Sequence, residues 1–260
     1  MASQSDMIPL SVVIITLNEE KRLTNCLRSL PRGSEVVILD SGSSDRTEQI
    51  ARELGAQVHT RVFTNHAEQK NAALALANRT WVLAVDADEV LTKELADEVT
   101  RLSQEQNPSH QAYAIKRKLI FMNKRLSFGK STDWPVRFFK RNTGRYHSEI
   151  HERFILDSGS AGKLTASMDH FSYDSIEDYF ERFNWYTTLV AANHVKSGKE
   201  KVNLMSHLLR PWLEFVYRYF LRGGFLDGYP GYTYALLSSF YTFVKYAKFR
   251  ELTRPELKPS

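Results

Sequence analysis

Cysteine is almost missing from this 260-residue sequence: Cys26 stands alone. That excludes an intrachain disulfide framework and a zinc site built on clustered thiolates, and it is compatible with a reducing compartment. Long apolar runs are missing too. Residues 228–244 form an uncharged stretch of 17 residues, about 26 Å as a helix at ~1.5 Å per residue, against a bilayer core of ~30 Å. Its first residues include Gly228, Pro230 and Gly231, so the expected helical part is shorter still and a membrane span is not expected. No secretory leader is expected either, because the apolar stretch Leu10–Thr16 is short and follows an acidic start. There is no internal repeat and no low-complexity tract. A hydrophobic share of 42% and a charged share of 25% suit a soluble globular chain and exclude wholesale disorder. The length fits one large domain, or a catalytic domain with an appendage.

What is present is charge, unevenly placed. Residues 201–260 hold nine Lys/Arg against four Asp/Glu, whereas residues 1–200 hold 26 of each sign. A second basic block, residues 116–145, has ten Lys/Arg against Asp133 alone. Such patches attract phosphate in any carrier: nucleic acid, anionic lipid or a sugar nucleotide. A nucleic-acid role is not expected, since no recognition motif appears and residues 1–200 are neutral overall. Residues 211–249 hold fourteen of the 31 aromatics, mixed with Arg210, Arg218, Arg222, Lys245, Lys248 and Arg250. Two readings stand for that tail: a helix lying in the headgroup region of an anionic membrane, or a packing appendage or dimer interface. Oligomeric state is left open.

The first half alternates strand-like and helix-like segments. Strands are predicted at residues 10–16, 35–40, 56–60 and 81–86, with helices at 19–30, from Asp45, at 66–77 and at 92–104. Asp45 with Glu48, and Ser175 with Asp178, read as helix-start pairs. Strands separated by helices imply an α/β fold with a mainly parallel, Rossmann-like sheet. After residue 107 the pattern changes to basic strands at 113–121 and 136–140, a strand at 165–171, and a helix at 174–195. The division expected is a domain over 1–200, with a first half at about 8–107 and a second at 108–200, then a helical appendage over 201–260.

The sharpest chemical feature is Asp86-Ala87-Asp88-Glu89, beyond a buried strand, where open α/β sheets bind ligands. Two carboxylates there can hold Mg²⁺ or Mn²⁺, or can merely cap a turn. Thr16-Leu17-Asn18-Glu19-Glu20, Asp40-Ser41-Gly42-Ser43-Ser44-Asp45 and Gln69-Lys70-Asn71 can reach the same edge. An acidic residue after the second strand can accept hydrogen bonds from a base or ribose, and a lysine can neutralise a diphosphate. Asn18 and Asp40 read equally as turn formers.

Together these motifs make the chain resemble family 2 glycosyltransferases of the GT-A fold, most closely the lipopolysaccharide-core β-glucosyltransferase group, over roughly residues 8–195. The segment Arg222-Gly-Gly-Phe-Leu-Asp-Gly228 also looks familial. The resemblance implies sugar transfer from a nucleotide sugar, commonly UDP-linked, to a lipid-linked saccharide, with a divalent metal, Mg²⁺ or Mn²⁺. It places Thr16, Leu17, Asn18, Glu19 and Asp40 on the donor, Lys70 on its diphosphate, Asp86 and Asp88 on ribose and metal, and His170 as a third metal ligand. His170 reads equally as a buried, hydrogen-bonded histidine. Many members of that family carry two consecutive Asp after the second strand where this chain has Asp40-Ser41, which leaves the base open.

In His147-Ser-Glu149-Ile-His151-Glu152-Arg153, the resemblance implies a catalytic base, and Glu152 is the candidate. Inversion needs one group to take the acceptor hydroxyl's proton, and an ordinary glutamate is ionised at neutral pH. The alternative for Glu152 is an ion pair with Arg153. Zinc is not expected at His147 and His151, because H-E-x-x-H is absent. Trp134, Arg137 and His151 are the acceptor-side candidates; Trp134 can stack on a sugar or simply pack. The expected location is the inner face of the cytoplasmic membrane, peripherally bound. Two rivals remain: a haloacid-dehalogenase-type phosphohydrolase with Asp86 as nucleophile, and a non-catalytic membrane-surface protein. Against the first, three βα units precede Asp86, where that motif should open the core.

Overall fold

Four apolar, β-branched runs become the parallel half of a central sheet in the computed structural model, which describes residues 7–147, 152–197 and 204–253. In chain order the elements are β1 (Leu10–Thr16), α1 (Leu23–Arg28), β2 (Glu35–Asp40), α2 (Thr47–Glu53), β3 (Gln57–Thr60), α3 (His66–Leu76), β4 (Trp81–Asp86), β5 (Glu89–Leu91) and α4 (Lys93–Gln104). Then come β6 (Ala112–Phe121), β7 (Lys124–Arg125), β8 (Thr132–Asp133), β9 (Val136–Lys140), β10 (Gly144–His147), β11 (Arg153–Leu156) and β12 (Gly162–His170). The helices α5 (Ile176–Lys196), α6 (Leu204–Val216) and α7 (Gly228–Leu252) complete the chain, with a π turn at Tyr217–Leu221 and a 3₁₀ turn at Gly224–Asp227 between the last two.

Two units emerge from the contacts: Met1–Lys118 with Asp133–Phe171, and Leu119–Thr132 with Ser172–Ser260. In the first, the sheet order is β3-β2-β1-β4-β9-β6-β12-β5. Strands β3 to β4 are parallel neighbours; β9 runs antiparallel to both β4 and β6, and β5 antiparallel to β12. Apolar packing covers both faces, as a parallel sheet requires. Val12 and Ile14 of β1 join Leu23 and Cys26 of α1 and Leu95 and Val99 of α4. Val13, one residue out of phase, joins Ala73 of α3, Phe139 and Phe154 on the other side. That split is the two-residue period of a strand. Cys26 is fully buried, and burial first, then the carboxylates of Glu89, Asp88 and Asp86, push its thiol up, so it is no nucleophile.

Local signals decide some helix ends and lose others. Ser175 caps α5 by accepting from the Asp178 amide at 3.1 Å, and Thr92 caps α4 through the Leu95 amide at 3.3 Å, each as an N-cap side chain should. The helix predicted at 19–30 is shortened to α1. The amides of Asn18, Glu19 and Glu20 donate instead to the side chains of Ser43, Thr47 and Asp45, in that order, so tertiary bonds displace the local helix. Asp45 accepts from the Thr47 amide at 2.9 Å and its hydroxyl at 2.5 Å; it forms a turn ahead of α2 and does not start a capping box.

The second unit has its own aromatic core: Leu119, Phe121 and Leu126 pack with Tyr179 and Phe183 of α5 and with Tyr234, Leu237 and Tyr241 of α7. Because 119–132 and α5 share this core with the last helices, the grouping differs from a division at residue 200. The Arg222–Gly228 segment has a structural role here. Asp227 is buried and accepts from the amides of Ser127 at 3.0 Å and Phe128 at 2.9 Å, while Lys124 donates to its carbonyl at 2.7 Å. A Cβ on Gly231 would lie 2.1 Å from the Gly224 carbonyl oxygen, so only glycine allows that approach. α7 is longer than expected: Pro230 sits in its first turn, where the missing N–H has no helical partner anyway. Among the described residues, no helix is long and apolar enough to cross a membrane.

Candidate active site

Parallel register puts the chemistry at one edge. Thr16 lies opposite Asp40 and Ile15 opposite Asp86, so β1, β2 and β4 end together. Asp40 is fully buried. It accepts from the Thr16 hydroxyl at 2.7 Å, the Gly42 and Ser43 amides at 2.8 and 2.6 Å, and the Ser43 hydroxyl at 2.6 Å. Both oxygens are thereby spent on shaping the 41–44 loop, the turn-forming role, and Thr16 is buried beneath it with Asp40. Above them Leu17 is half exposed. Asn18 takes a left-handed φ of 56°, a conformation asparagine tolerates better than most residues, and its side-chain oxygen accepts from the Ser44 amide at 2.9 Å. Glu19 pairs with Arg22 at 3.5 Å.

Helix α3 reaches three places with three consecutive residues, as 3.6 residues per turn allows. Gln69 donates to the Ser41 hydroxyl at 3.1 Å. Asn71 exchanges two hydrogen bonds with the backbone of Tyr146, at 2.8 and 2.9 Å, fastening the β10–β11 hairpin. Lys70 stands between: its ammonium is 2.7 Å from Asp86 and 2.8 Å from Glu152. Burial, then Arg137, work against the Lys70 charge, but Asp86, Tyr146 and Glu152 outweigh them and its pKa is raised. For Glu152, burial favours the neutral acid, yet Lys70 wins and holds its carboxyl below the usual range.

Asp86 is held from the other side as well. Arg137 bonds Asp86 and, at 3.0 Å, Glu89; Arg117 reaches Glu89 at 3.0 Å and Asp133 at 2.6 Å. Burial would raise the Asp86 pKa, but Arg137, Lys70 and Arg117 carry it well below the usual carboxylate range. Arg137, an acceptor-side candidate, is a cation only 4% exposed that braces the acidic motif and also lines the cavity that holds Trp134 and Glu152. Glu89 is fully buried and accepts from the Asp86 amide at 2.8 Å, which fixes the strand end. Glu89, Arg117 and Tyr146 are the members that sequence reasoning missed. The available signal was a basic block alternating along strands beside an acidic motif, since buried charges need partners.

Asp88 sits 3.3 Å from the imidazole of His170, because Glu89 of β5 pairs with His170 of β12. Burial opposes ionisation of Asp88, and His170 reverses this, leaving its carboxyl low. Among the described residues no three His, Cys, Asp or Glu side chains stand ready for one metal ion, and Asp86 is turned to Lys70 and Arg137. Asp86, Asp88 and His170 are thus not assembled as one triad. A carboxylate oxygen beside an imidazole nitrogen still suits Mn²⁺ or Mg²⁺ when donor phosphates complete the shell, so Asp88 and His170 fit that role.

Glu152 and Trp134 line one cavity of about 630 Å³ with Arg117, Tyr146 and Arg153, within the 300–1,000 Å³ common for small-molecule sites. Trp134 is 39% exposed, and Lys163 stands 5.0 Å from its ring centroid. His151, the remaining acceptor-side candidate, and Glu149 lie outside the described residues.

Comparison with known proteins adds the family. A protein of Rickettsia felis named as an uncharacterized glycosyltransferase is 32% identical over 257 residues, covering 94% of this chain and 90% of the relative. The lipopolysaccharide core biosynthesis glycosyltransferase LpsC of Rhizobium meliloti is 28% identical, covering 97% and 96%. Among solved structures, the mannosyltransferase PcManGT from Pyrobaculum calidifontis, in complex with GDP-Man and Mn²⁺, aligns over 94% of this chain and 87% of its own with a TM-score of 0.54 at 15% identity, a likeness that shows the GT-A fold. Residues 11–160 match the profile described as Glycosyl transferase family 2, a span that includes both halves of the charged edge from Thr16 to Glu152, and the chain belongs to that family of glycosyltransferases.

Proposed function

We propose that the protein moves glucose from a UDP-linked donor, with inversion, onto a lipid-linked saccharide such as lipopolysaccharide core. The observation that carries this reading is the place of Glu152: it lines the Trp134 cavity, and its carboxylate is joined through Lys70 to Asp86 at the sheet edge. A base thus faces the space where a hydroxyl enters, and a cation faces the edge where nucleotides bind in α/β sheets. The motif resemblance supports the uridine donor, and similarity to LpsC supports the acceptor class.

In the transfer, the acceptor oxygen bonds the anomeric carbon as the bond from that carbon to the donor phosphate oxygen breaks. The hydroxyl proton passes to Glu152, and the nucleoside diphosphate leaves with the bonding electrons. A single displacement needs one base and no second carboxylate. Glu152, held low by Lys70, is ionised at neutral pH. Lys70 serves the diphosphate as a point charge. Asp88 and His170 would hold the divalent cation, which when bound stabilises charge on the departing diphosphate. Leu17 and the 41–44 loop wall the donor, and Trp134 offers its ring to the acceptor sugar.

The alternative of Asp86 as a phosphoryl nucleophile is weakened by its engagement with Lys70 and Arg137. The protein works peripherally at the cytoplasmic face of the membrane, a reading supported by the exposed apolar side chains Leu208, Leu209 and Trp212 on α6, as on interfacial helices. A thermal-shift panel of UDP-, GDP- and ADP-sugars with and without Mn²⁺ tests the donor reading. Saturation at 100 Kd adds about 2.7 kcal/mol, or roughly 5–11 °C at about 2–4 °C per kcal/mol. UDP-glucose with Mn²⁺ is expected to give the largest shift. No shift with any donor overturns the proposal, and a shift confined to GDP- or ADP-sugars overturns its uridine part.

A further inference from the structure

The second unit contains a cavity that the transfer reaction does not use. It measures about 680 Å³ and is lined by residues of α5, α6 and α7 together with Lys130. Four cations line it, Lys130, Arg210, Arg218 and Lys245, against one carboxylate, Glu214. Arg218 spends its charge on Glu214 at 2.6 Å. Among the described residues no carboxylate pairs with the other three. Arg210 instead donates to the Tyr246 hydroxyl at 2.5 Å, and Lys245 stands 5.1 Å from the Tyr246 ring centroid. Three positive charges converging on one concave space without counter-charge are complementary to an anion. The tyrosines add neutral donors: burial pushes Tyr179 and Tyr241 upward, which keeps their hydroxyls protonated.

The same elements carry an apolar fringe. Leu213 lines the cavity and is 59% exposed, and Trp212 beside it is 68% exposed. Leu208 and Leu209 lie one turn earlier on α6 and are more than half exposed. A free phosphate ester would need the cations alone; the adjoining uncovered hydrocarbon suits a headgroup with acyl chains attached. We infer that this cavity is a headgroup site for an anionic phospholipid, its phosphate held by Arg210, Lys245 and Lys130 and its chains lying along the exposed side of α6. The inference deepens the membrane-surface part of the proposed function and rests on it. It makes attachment selective for lipid charge and headgroup, beyond general attraction to a negative surface.

The test is co-sedimentation of the full chain with phosphatidylcholine vesicles containing or lacking about 30% phosphatidylglycerol, which supplies a negative surface. Each surface Lys or Arg contributes about 1 kcal/mol of attraction, so R210Q/K245Q is expected to lower the partition coefficient by at least about tenfold on anionic vesicles. The charge-matched control R32Q/K93Q, two exposed cations of the first unit, is expected to lower it less than about threefold. A second measurement uses the wild-type protein: dihexanoyl-phosphatidylglycerol should compete with the vesicles, whereas dihexanoyl-phosphatidylcholine and glycerol 3-phosphate should not. Equal losses in both variants, unchanged partition of R210Q/K245Q, or competition by glycerol 3-phosphate as strong as by the short-chain lipid overturns the site. Absence of wild-type binding overturns the membrane reading with it. A donor-induced thermal shift persisting in either case leaves the transferase reading standing.

Discussion

Replacing Arg137 by Met removes the cation that braces the acidic end of β4. Arg137 is 4% exposed and bonds both Asp86 and the fully buried Glu89, so its loss leaves two carboxylates facing each other with only Arg117 and Lys70 to compensate. Breaking a buried ion pair by removing one partner costs about 3–5 kcal/mol. At about 2–4 °C per kcal/mol for a chain of this size, the melting temperature at pH 7 should fall by about 6–20 °C. The pH dependence gives the sign. In the wild type Asp86 has a pKa depressed despite burial, with Arg137 foremost among the cations that lower it, so acid costs stability; in R137M Asp86 lacks that cation, so protonating it costs less and the penalty shrinks as pH falls. Urea unfolding of both proteins at pH 7 and pH 5 reads this directly. A loss below about 1 kcal/mol, or a penalty that grows on acidification, refutes the view that Arg137 is held there by the two carboxylates.

Three further outcomes follow from the same geometry. Asp86, Asp88 and Glu152 all have depressed folded-state pKa values, so their contribution is whole above about pH 5 and is lost as pH falls through about 4 toward their folded values; the urea midpoint should be flat from pH 7 to 5 and drop below 4, less steeply in Asp86→Asn. Asp88→Ala should abolish transfer and also the Mn²⁺-dependent part of the donor thermal shift, measured side by side; an unchanged metal dependence would remove Asp88 from the metal. Asp227→Ala leaves the Ser127 and Phe128 amides without their acceptor and should cost about 2–4 kcal/mol by chemical denaturation, with Asp227→Asn recovering part of it; a cost under about 1 kcal/mol would show that the 119–132 segment does not depend on that clamp.

The strands and the edge they share were legible in the sequence because each is a short apolar run with its chemistry immediately after it. Asp86, at the end of Trp81–Asp86, is such a case. The three-residue spacing marked the N-cap at Ser175 but misled at Asp45, whose carboxylate accepts from Thr47 instead. What was not legible depends on distance along the chain. Lys70 meets Glu152 across 82 residues and Arg137 meets Asp86 across 51, and nothing local says which cation finds which carboxylate. For the same reason the start of α1 was misplaced: its amides are claimed by side chains about 25 residues away. Asp40 shows another limit. An acidic residue at a ligand-binding edge reads equally as ligand-facing or turn-forming, and the four hydrogen bonds that Asp40 accepts are visible only in the structure.

The account stands on Glu152 acting as the base across from a separately held donor. The direct measurement is Glu152→Gln, followed by glucose transfer and by donor-induced thermal shift on the same preparation. The carboxylate gone, transfer should fall by about 10²–10⁴-fold, the usual contribution of a positioned base. The donor shift should stay within a degree or so of wild type, since Asp88 and the 41–44 loop are untouched and Lys70 keeps its ion pair with Asp86. Transfer at more than about a tenth of the wild-type rate, or a donor shift that disappears with the carboxylate, contradicts it.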